Sequence, residues 1–216
     1  GPGDSVIAYS TAFRGALTLR VYRVATGTSD SLFAVGRRAL RVADWSPDGR
    51  RIAFHLAAGG TAPKDELWVY SLAERRAVRA FEEAGNLSSA RWSPDGQWMA
   101  FVSDEMGAPA VYVRRLDGAG AAVTASAAGG DFPRWRADGR ELYYRAPNGA
   151  IMAVSVRLGA TTVLSRPRVV VASPPFSLVA RAVDVAPDGD AFFGFGREEP
   201  PVFTIVLDWA ARLPAR

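Results

Sequence analysis

One histidine, four regularly spaced aspartates and two glycine pairs are the residues of this chain that could do chemistry. His55 stands alone, so a multi-histidine metal site cannot form and any Ser/His/Asp relay must run through it. It follows the apolar stretch Ile52-Ala53-Phe54, where corresponding stretches carry Ser10, Val102 and Arg145, and a surface or strand-end histidine is expected. Asp48, Asp95, Asp138 and Asp188 each sit one residue before a glycine, so turn formation explains them without a shared metal or acid/base role. Gly59-Gly60, with Lys64 close behind, and Gly129-Gly130 open no helix, which removes half of a phosphate cradle. Cysteine is absent, and with it disulfides, thiolate nucleophiles and thiolate metal sites. No catalytic set, metal site or cofactor is expected from these residues.

The elements that carry them belong to one soluble domain. At 216 residues the chain can bury its own core, and 49% hydrophobic with 22% charged residues is a globular composition. No apolar run approaches the roughly 18 residues that cross a bilayer, and the first residues lack the layout of a signal peptide. All but one of the 26 basic residues are arginine, the exception being Lys64, and the net charge is +4. That charge is dispersed: Arg75, Arg76 and Arg79 are flanked by Glu74, Glu82 and Glu83, which speaks against a nucleic-acid surface.

One unit recurs along the chain. Its best copies are Ala43-Asp44-Trp45-Ser46-Pro47-Asp48-Gly49-Arg50-Arg51-Ile52-Ala53-Phe54 and Ala90-Arg91-Trp92-Ser93-Pro94-Asp95-Gly96-Gln97-Trp98-Met99-Ala100-Phe101. Degraded copies centre on Trp135, with Ala137-Asp138-Gly139, and on Val185, with Pro187-Asp188-Gly189; a partial copy opens the chain at Ile7. Ile7, Ile52, Met99, Leu142 and Phe192 mark the repeat, spaced 45, 47, 43 and 50 residues apart, a period of propeller blades or helical solenoids. Turn chemistry decides between them. Pro47, Pro94 and Pro187 pre-set φ at the first turn position, the aspartate tolerates the second and bonds its own backbone, and Gly49, Gly96, Gly139 and Gly189 take the left-handed conformation. Further β-rich stretches follow in each unit, including Leu67-Trp68-Val69-Tyr70, Ala110-Val111-Tyr112-Val113, Ile151-Met152-Ala153-Val154 and Phe203-Thr204-Ile205-Val206-Leu207. The expected fold is therefore all-β: a β-propeller of four-stranded antiparallel blades, about five of them visible, with units near 4–38, 39–84, 85–127, 128–175 and 178–209. Trp45, Trp92 and Trp135 are expected to wedge between neighbouring blades.

The units at Trp45 and Trp92 resemble the PD40, or TolB-like, propeller repeat, whose pattern is Trp-Ser-Pro-Asp-Gly followed by an Ile-Ala-Phe strand. The later half, through Leu142-Tyr143-Tyr144-Arg145-Ala146-Pro147-Asn148-Gly149 and Thr204-Ile205-Val206-Leu207-Asp208-Trp209, is similar to the C-terminal end of propellers fused to bacterial serine/threonine kinases, with Asp208 where that family usually has Asn. The resemblance implies a periplasmic or otherwise extracytoplasmic sensor or protein-binding domain, with a kinase and membrane helix upstream, and brings no catalytic residues.

A propeller puts the first strand of each blade nearest its axis. Arg41, Ser88, Asp131 and Arg181 lie four residues before the tryptophan position, and Asp44, Arg91, Arg134 and Asp184 one before it. Polar residues beside a buried axis must pair or face water. The second set is expected to form inter-blade ion pairs, Asp44 with Arg91 and Arg134 with Asp184; the first is the candidate contact for a small ligand in the central channel. Loops 57–65, 104–109 and 146–149 share one end and offer a second surface, suited to a protein or peptide partner. The alternative is an enzyme-associated propeller, either the gating domain of a serine peptidase or a lyase-type propeller; no Gly-x-Ser-x-Gly elbow favours the first and a single histidine disfavours the second. Because the opening unit lacks its first strand, either a seam joining the two ends beside Phe203 to Leu207 or membership of a larger propeller is expected.

Overall fold

Pro-Asp-Gly corners fold the chain into successive antiparallel sheets. The structure is a computed structural model, and it describes residues 5–13, 15–57, 64–82, 85–118, 120–159, 162–172, 174, 184–189 and 191–193. The first sheet has three strands, β1 (Val6–Phe13), β2 (Ala16–Arg23) and β3 (Thr28–Ala34). The second runs β4 (Leu40–Trp45), β5 (Arg51–Ala57), β6 (Asp65–Ser71) and β7 (Arg76–Arg79), and the third β8 (Leu87–Trp92), β9 (Trp98–Ser103), β10 (Ala110–Arg115) and β11 (Val123–Thr124). The fourth holds β12 (Asp131–Trp135), β13 (Glu141–Arg145) and β14 (Ile151–Arg157), with β15 (Val163–Leu164) and β16 (Arg168–Val171) sharing its outer edge. A fifth begins with β17 (Asp184–Val185) and β18 (Phe192–Phe193). All pairings are antiparallel, and the described residues contain no helix.

The outer edge of the fourth sheet departs from the expected single strand. β14 is seven residues long, and β15 pairs with its Val156 and Arg157 while β16 pairs with Ile151, Met152 and Ala153. Pro167 lies between the two short strands; with no N–H to give a ladder, it divides the edge. The expected strand Phe203 to Leu207, and the seam beside it, lie outside the described residues.

Each corner is built the same way. Gly49 N–H donates to Ser46 O at 2.9 Å and Gly96 N–H to Ser93 O at 2.8 Å, closing a turn with proline first and aspartate second, while both glycines hold positive φ, 71° and 69°. The Asp48 carboxylate accepts from the Ser46 hydroxyl at 2.5 Å and from Arg50 N–H at 3.0 Å. Asp95 repeats this with Ser93 and Gln97 N–H. At the third corner Arg136 replaces the serine, and Asp138 takes Arg140 N–H at 2.9 Å. The corners also stack: Pro47 Cδ lies against Gly96 and Pro94 Cδ against Gly139.

Side chains alternate between two interfaces, as the strand period requires. On β9, Met99 and Phe101 join Ala53, Leu67 and Val69 of the second sheet, whereas Trp98, Ala100 and Val102 face Leu142, Tyr144 and Val154 of the fourth. Between the first and second sheets, Leu19 and Val21 meet Ile52, Phe54 and Leu56. Burial on both faces explains why the central strands carry so few polar residues. The three repeat tryptophans distribute one to each interface, Trp45 between sheets one and two, Trp92 between two and three, Trp135 between three and four. The first strands lie side by side, β4 against β8, β8 against β12 and β12 against β17, so they form the inner row.

Candidate binding surface

Along that inner row β4, β8 and β12 are each irregular. The register shifts between Val42 and Asp44, between Ser88 and Arg91, and between Asp131 and Arg134. Ser89 and Phe132 occupy equivalent bulge positions with left-handed φ of 54° and 50°, a conformation that costs a side-chain-bearing residue about 1 kcal/mol. The bulges re-aim the charged residues that follow them. Arg134 Nε lies 3.3 Å from Asp184 Oδ1 across the gap to the fifth sheet. Asp44 accepts Trp92 N–H at 2.9 Å through one oxygen and Trp45 N–H at 2.9 Å through the other, while Arg91 donates to Ala43 O and Ala90 O. Asp44 and Arg91 are thus neighbours that bind each other's strands through backbone groups rather than through a direct fork.

Electrostatics follow from that crowding. Burial pushes the Asp44 carboxyl above the ordinary carboxylate range, and Arg91 with the two N–H donors recovers only part of the shift. Burial, reinforced by Arg91, lowers the Arg134 guanidinium to about 10, against which Asp184 and Asp44 act. The cluster is charge-balanced, which suits a structural lock.

Of the other expected channel residues, Arg41 pairs with Asp65 and Asp131 receives a bidentate fork from Arg145, with Nε to Oδ1 at 2.6 Å. Ser88 sits half-buried on β8, and Arg181 lies outside the described residues. The Arg145 guanidinium also lies over the Phe132 ring, 4.5 Å from its centroid.

His55 is not at the surface. It is 5% exposed on β5, between the second and third sheets, and Nε2 accepts Ala90 N–H at 3.4 Å. The expectation of a surface position failed because β8 of the next blade lies across it, a contact that a single strand's sequence cannot show. Asp48, Asp95 and Asp138 are engaged in their own turns, and Gly189 N–H donates to Ala186 O in the turn that holds Pro187 and Asp188.

At the opposite end from the Pro-Asp-Gly corners, a groove of about 910 Å³ crosses the loops of the third and fourth sheets. Met106 and Pro109 form one side, Ala146, Pro147 and Gly149 another, and the Asp131–Arg145 pair the polar end. The floor is the loop 127–130, and its two glycines are required there. Gly130 N–H donates to Pro109 O at 3.0 Å, and a Cβ on Gly130 would stand 2.7 Å from the Tyr144 ring. A Cβ on Gly129 would meet Pro147 Cγ at 3.1 Å on a backbone already at φ +87°. The sequence singled out loops 104–109 and 146–149 but read Gly129-Gly130 only as a failed phosphate loop. The signal it missed was position: the glycine pair links a fourth strand to the next first strand and so must share an end with those loops. Met106 stands 80% exposed on the rim.

Repeated antiparallel sheets in radial contact, serine-aspartate-locked corners and a polar inner row define a β-propeller of the PD40 repeat type, with a groove at its loop end. The PD40 family, described as the TolB beta propeller domain, matches residues 1–182, and the chain belongs to it. The Tol-Pal system protein TolB of Anaeromyxobacter dehalogenans strain 2CP-1 is 37% identical over 131 residues, covering 55% of this chain and 29% of that protein. The crystal structure of TolB from Acinetobacter baumannii superposes with a TM-score of 0.69 at 21% identity, over 90% of this chain and 46% of that one. Oligogalacturonate lyase in complex with manganese superposes at 0.58 with 13% identity, over 82% and 50%. At such identities the two solved structures speak to the fold alone. The chain spans less than a third of the curated relative it matches, at 29%.

Proposed function

We propose that this chain is a non-catalytic recognition module whose loop-end groove takes an extended segment of a protein partner, within an extracytoplasmic, periplasmic setting and as part of a larger bacterial signalling protein. The observation that carries the reading is the groove itself: about 910 Å³, walled mainly by alanine, glycine and proline on rigid sheets, with one ion pair at its end. That size lies within the range of ligand sites, and small residues let a partner's backbone come close. Its relative is named as a protein of the Tol-Pal system, which supports a role in an assembly. A small ligand held instead by Arg41, Ser88, Asp131 and Arg181 would have to draw Arg41 from Asp65 and Asp131 from Arg145.

The enzyme-associated reading has less support. The lyase neighbour is a manganese complex, whereas among the described residues no three His, Cys, Asp or Glu side chains are grouped to hold a metal, and His55 is occupied by packing. A photoreactive residue at Met106 tests the proposal in cells: it should capture one protein, and Ala128→Trp, which fills the groove, should abolish the adduct. Capture unchanged by Ala128→Trp, or hydrolase or lyase turnover lost in His55→Ala, would overturn it.

A further inference from the structure

The rim of the loop-end groove carries a side chain that its turn does not call for. Two sheets link their second and third strands through a four-residue turn ending on glycine, Asp104-Glu105-Met106-Gly107 in the third and Ala146-Pro147-Asn148-Gly149 in the fourth. Gly107 N–H donates to Asp104 O and Gly149 N–H to Ala146 O, both at 2.9 Å, with φ of 94° and 88° at the two glycines. In the fourth sheet the third position is Asn148, whose Oδ1 accepts Ala150 N–H at 3.1 Å, the use to which turns put that residue type. A thioether is a poor acceptor for such a bond, yet Met106 stands in the same place, 80% exposed.

A slack loop does not account for it. Asp104 Oδ1 accepts Asn86 N–H at 2.7 Å and Ser103 Oγ accepts Glu105 N–H at 3.2 Å, so the turn is tied to the residue before β8 and to the end of β9. The side chain is thus held on one side of the groove. The chain's other sulfur is shielded. Cysteine is absent, and of the three methionines Met99 is 0% exposed between sheets two and three, while Met152 is half-buried against the interface of sheets three and four. An oxidant in solution meets one thioether first, and meets it at the mouth of the groove.

We propose that Met106 is a reversible oxidation site that sets how tightly the groove holds its occupant, an inference that rests on the groove being a binding surface. A hydroperoxide is the substrate class. Its terminal oxygen passes to Sδ and the O–O bond breaks; the sulfur gives up two electrons as the sulfoxide forms, and the remainder leaves as water or an alcohol. A dithiol reductant reverses the step, taking the oxygen off as water and closing to a disulfide. The sulfoxide is polar and chiral where the thioether was soft and apolar. Beside walls of alanine, proline and glycine it sets a strong acceptor where an occupant's apolar surface must lie. The oxidised groove therefore holds its segment less tightly.

Hydrogen peroxide titration of the full chain tests the site without any partner, mapped by mass on peptides cut after Glu105 so that Met99 and Met106 separate. Met106 should gain one oxygen about tenfold faster than Met99 or Met152. Equal rates overturn the proposal. The regulatory half is read with a photoreactive residue at Ala108, which leaves Met106 in place. Treated chain, freed of peroxide and irradiated in bacterial extract, should give about fivefold less of the adduct that Ala128→Trp abolishes, and sulfoxide reductase with dithiothreitol should restore it. Peroxide should leave the adduct yield of Met106→Leu where it was, whatever that yield is. Selective oxidation with an unchanged adduct, or a loss that persists in Met106→Leu or resists the reductase, overturns the proposal and leaves the groove reading standing. No adduct from untreated chain sinks the groove reading and the regulatory half with it, and the peptide map alone then decides whether Met106 is the oxidation site.

Discussion

Ser46 and Ser93 are fully buried, and each hydroxyl both donates to the turn aspartate and accepts the N–H five residues on, Arg51 and Trp98, at 2.9 Å. A hydroxyl removed from such a place leaves two partners unsatisfied. Ser93→Ala should cost about 1–3 kcal/mol in urea unfolding, and in an Asp95→Ala background the same change should cost much less. Asp44 supplies a pH signature. A carboxyl raised by burial stabilises the folded chain fully below the ordinary carboxylate range, and that contribution is lost as pH climbs through the raised value. Unfolding free energies measured from pH 3 upward should show wild type losing ground to Asp44→Asn across that window, and a gap that widens instead would refute the assignment. Asp48 has the opposite sign. The Ser46 hydroxyl and Arg50 N–H hold it below the usual range, so its contribution is present above that range and fades on acidification.

The element that matters is the sheet-to-sheet interface. Phe101 is 1% exposed, with its ring 5.1 Å from Phe81 and 6.0 Å from Tyr112. Truncating it opens a void that flanking sheets cannot collapse into. Phe101→Ala should lower stability by about 3–5 kcal/mol, whereas Met106→Ala on the exposed rim should stay within about 0.5 kcal/mol, both read by chemical denaturation. The corners belong to this scale as well. Gly96 carries φ +69° with Pro47 packed on it, so Gly96→Ala should cost about 1–2 kcal/mol through the backbone alone.

Across the whole molecule, protection should follow how many faces a sheet buries. Sheets two and three bury both, and the first buries one and exposes Ile7 and Tyr22 on the other. Amide exchange should therefore be slowest in β5, β9 and β10 and faster in β1. Equal protection in β1 and β9 would contradict the one-faced burial of the first sheet.

Repeat spacing and Pro-Asp-Gly chemistry by themselves determined the class of fold, because a turn that needs proline, aspartate and glycine in order is written locally in four residues. They also placed the tryptophans at interfaces, since a position that recurs in every blade meets the same neighbour each time. What lay between blades was decided only in three dimensions. The burial of His55 under Ala90, the Asp131–Arg145 fork and the glycine floor of the groove join residues of different strands or sheets, and such contacts follow from how sheets are rotated about a common axis, which no single strand encodes. The bulges at Ser89 and Phe132 belong with them: neither residue type favours a left-handed backbone, and only the row of neighbouring inner strands holds them there.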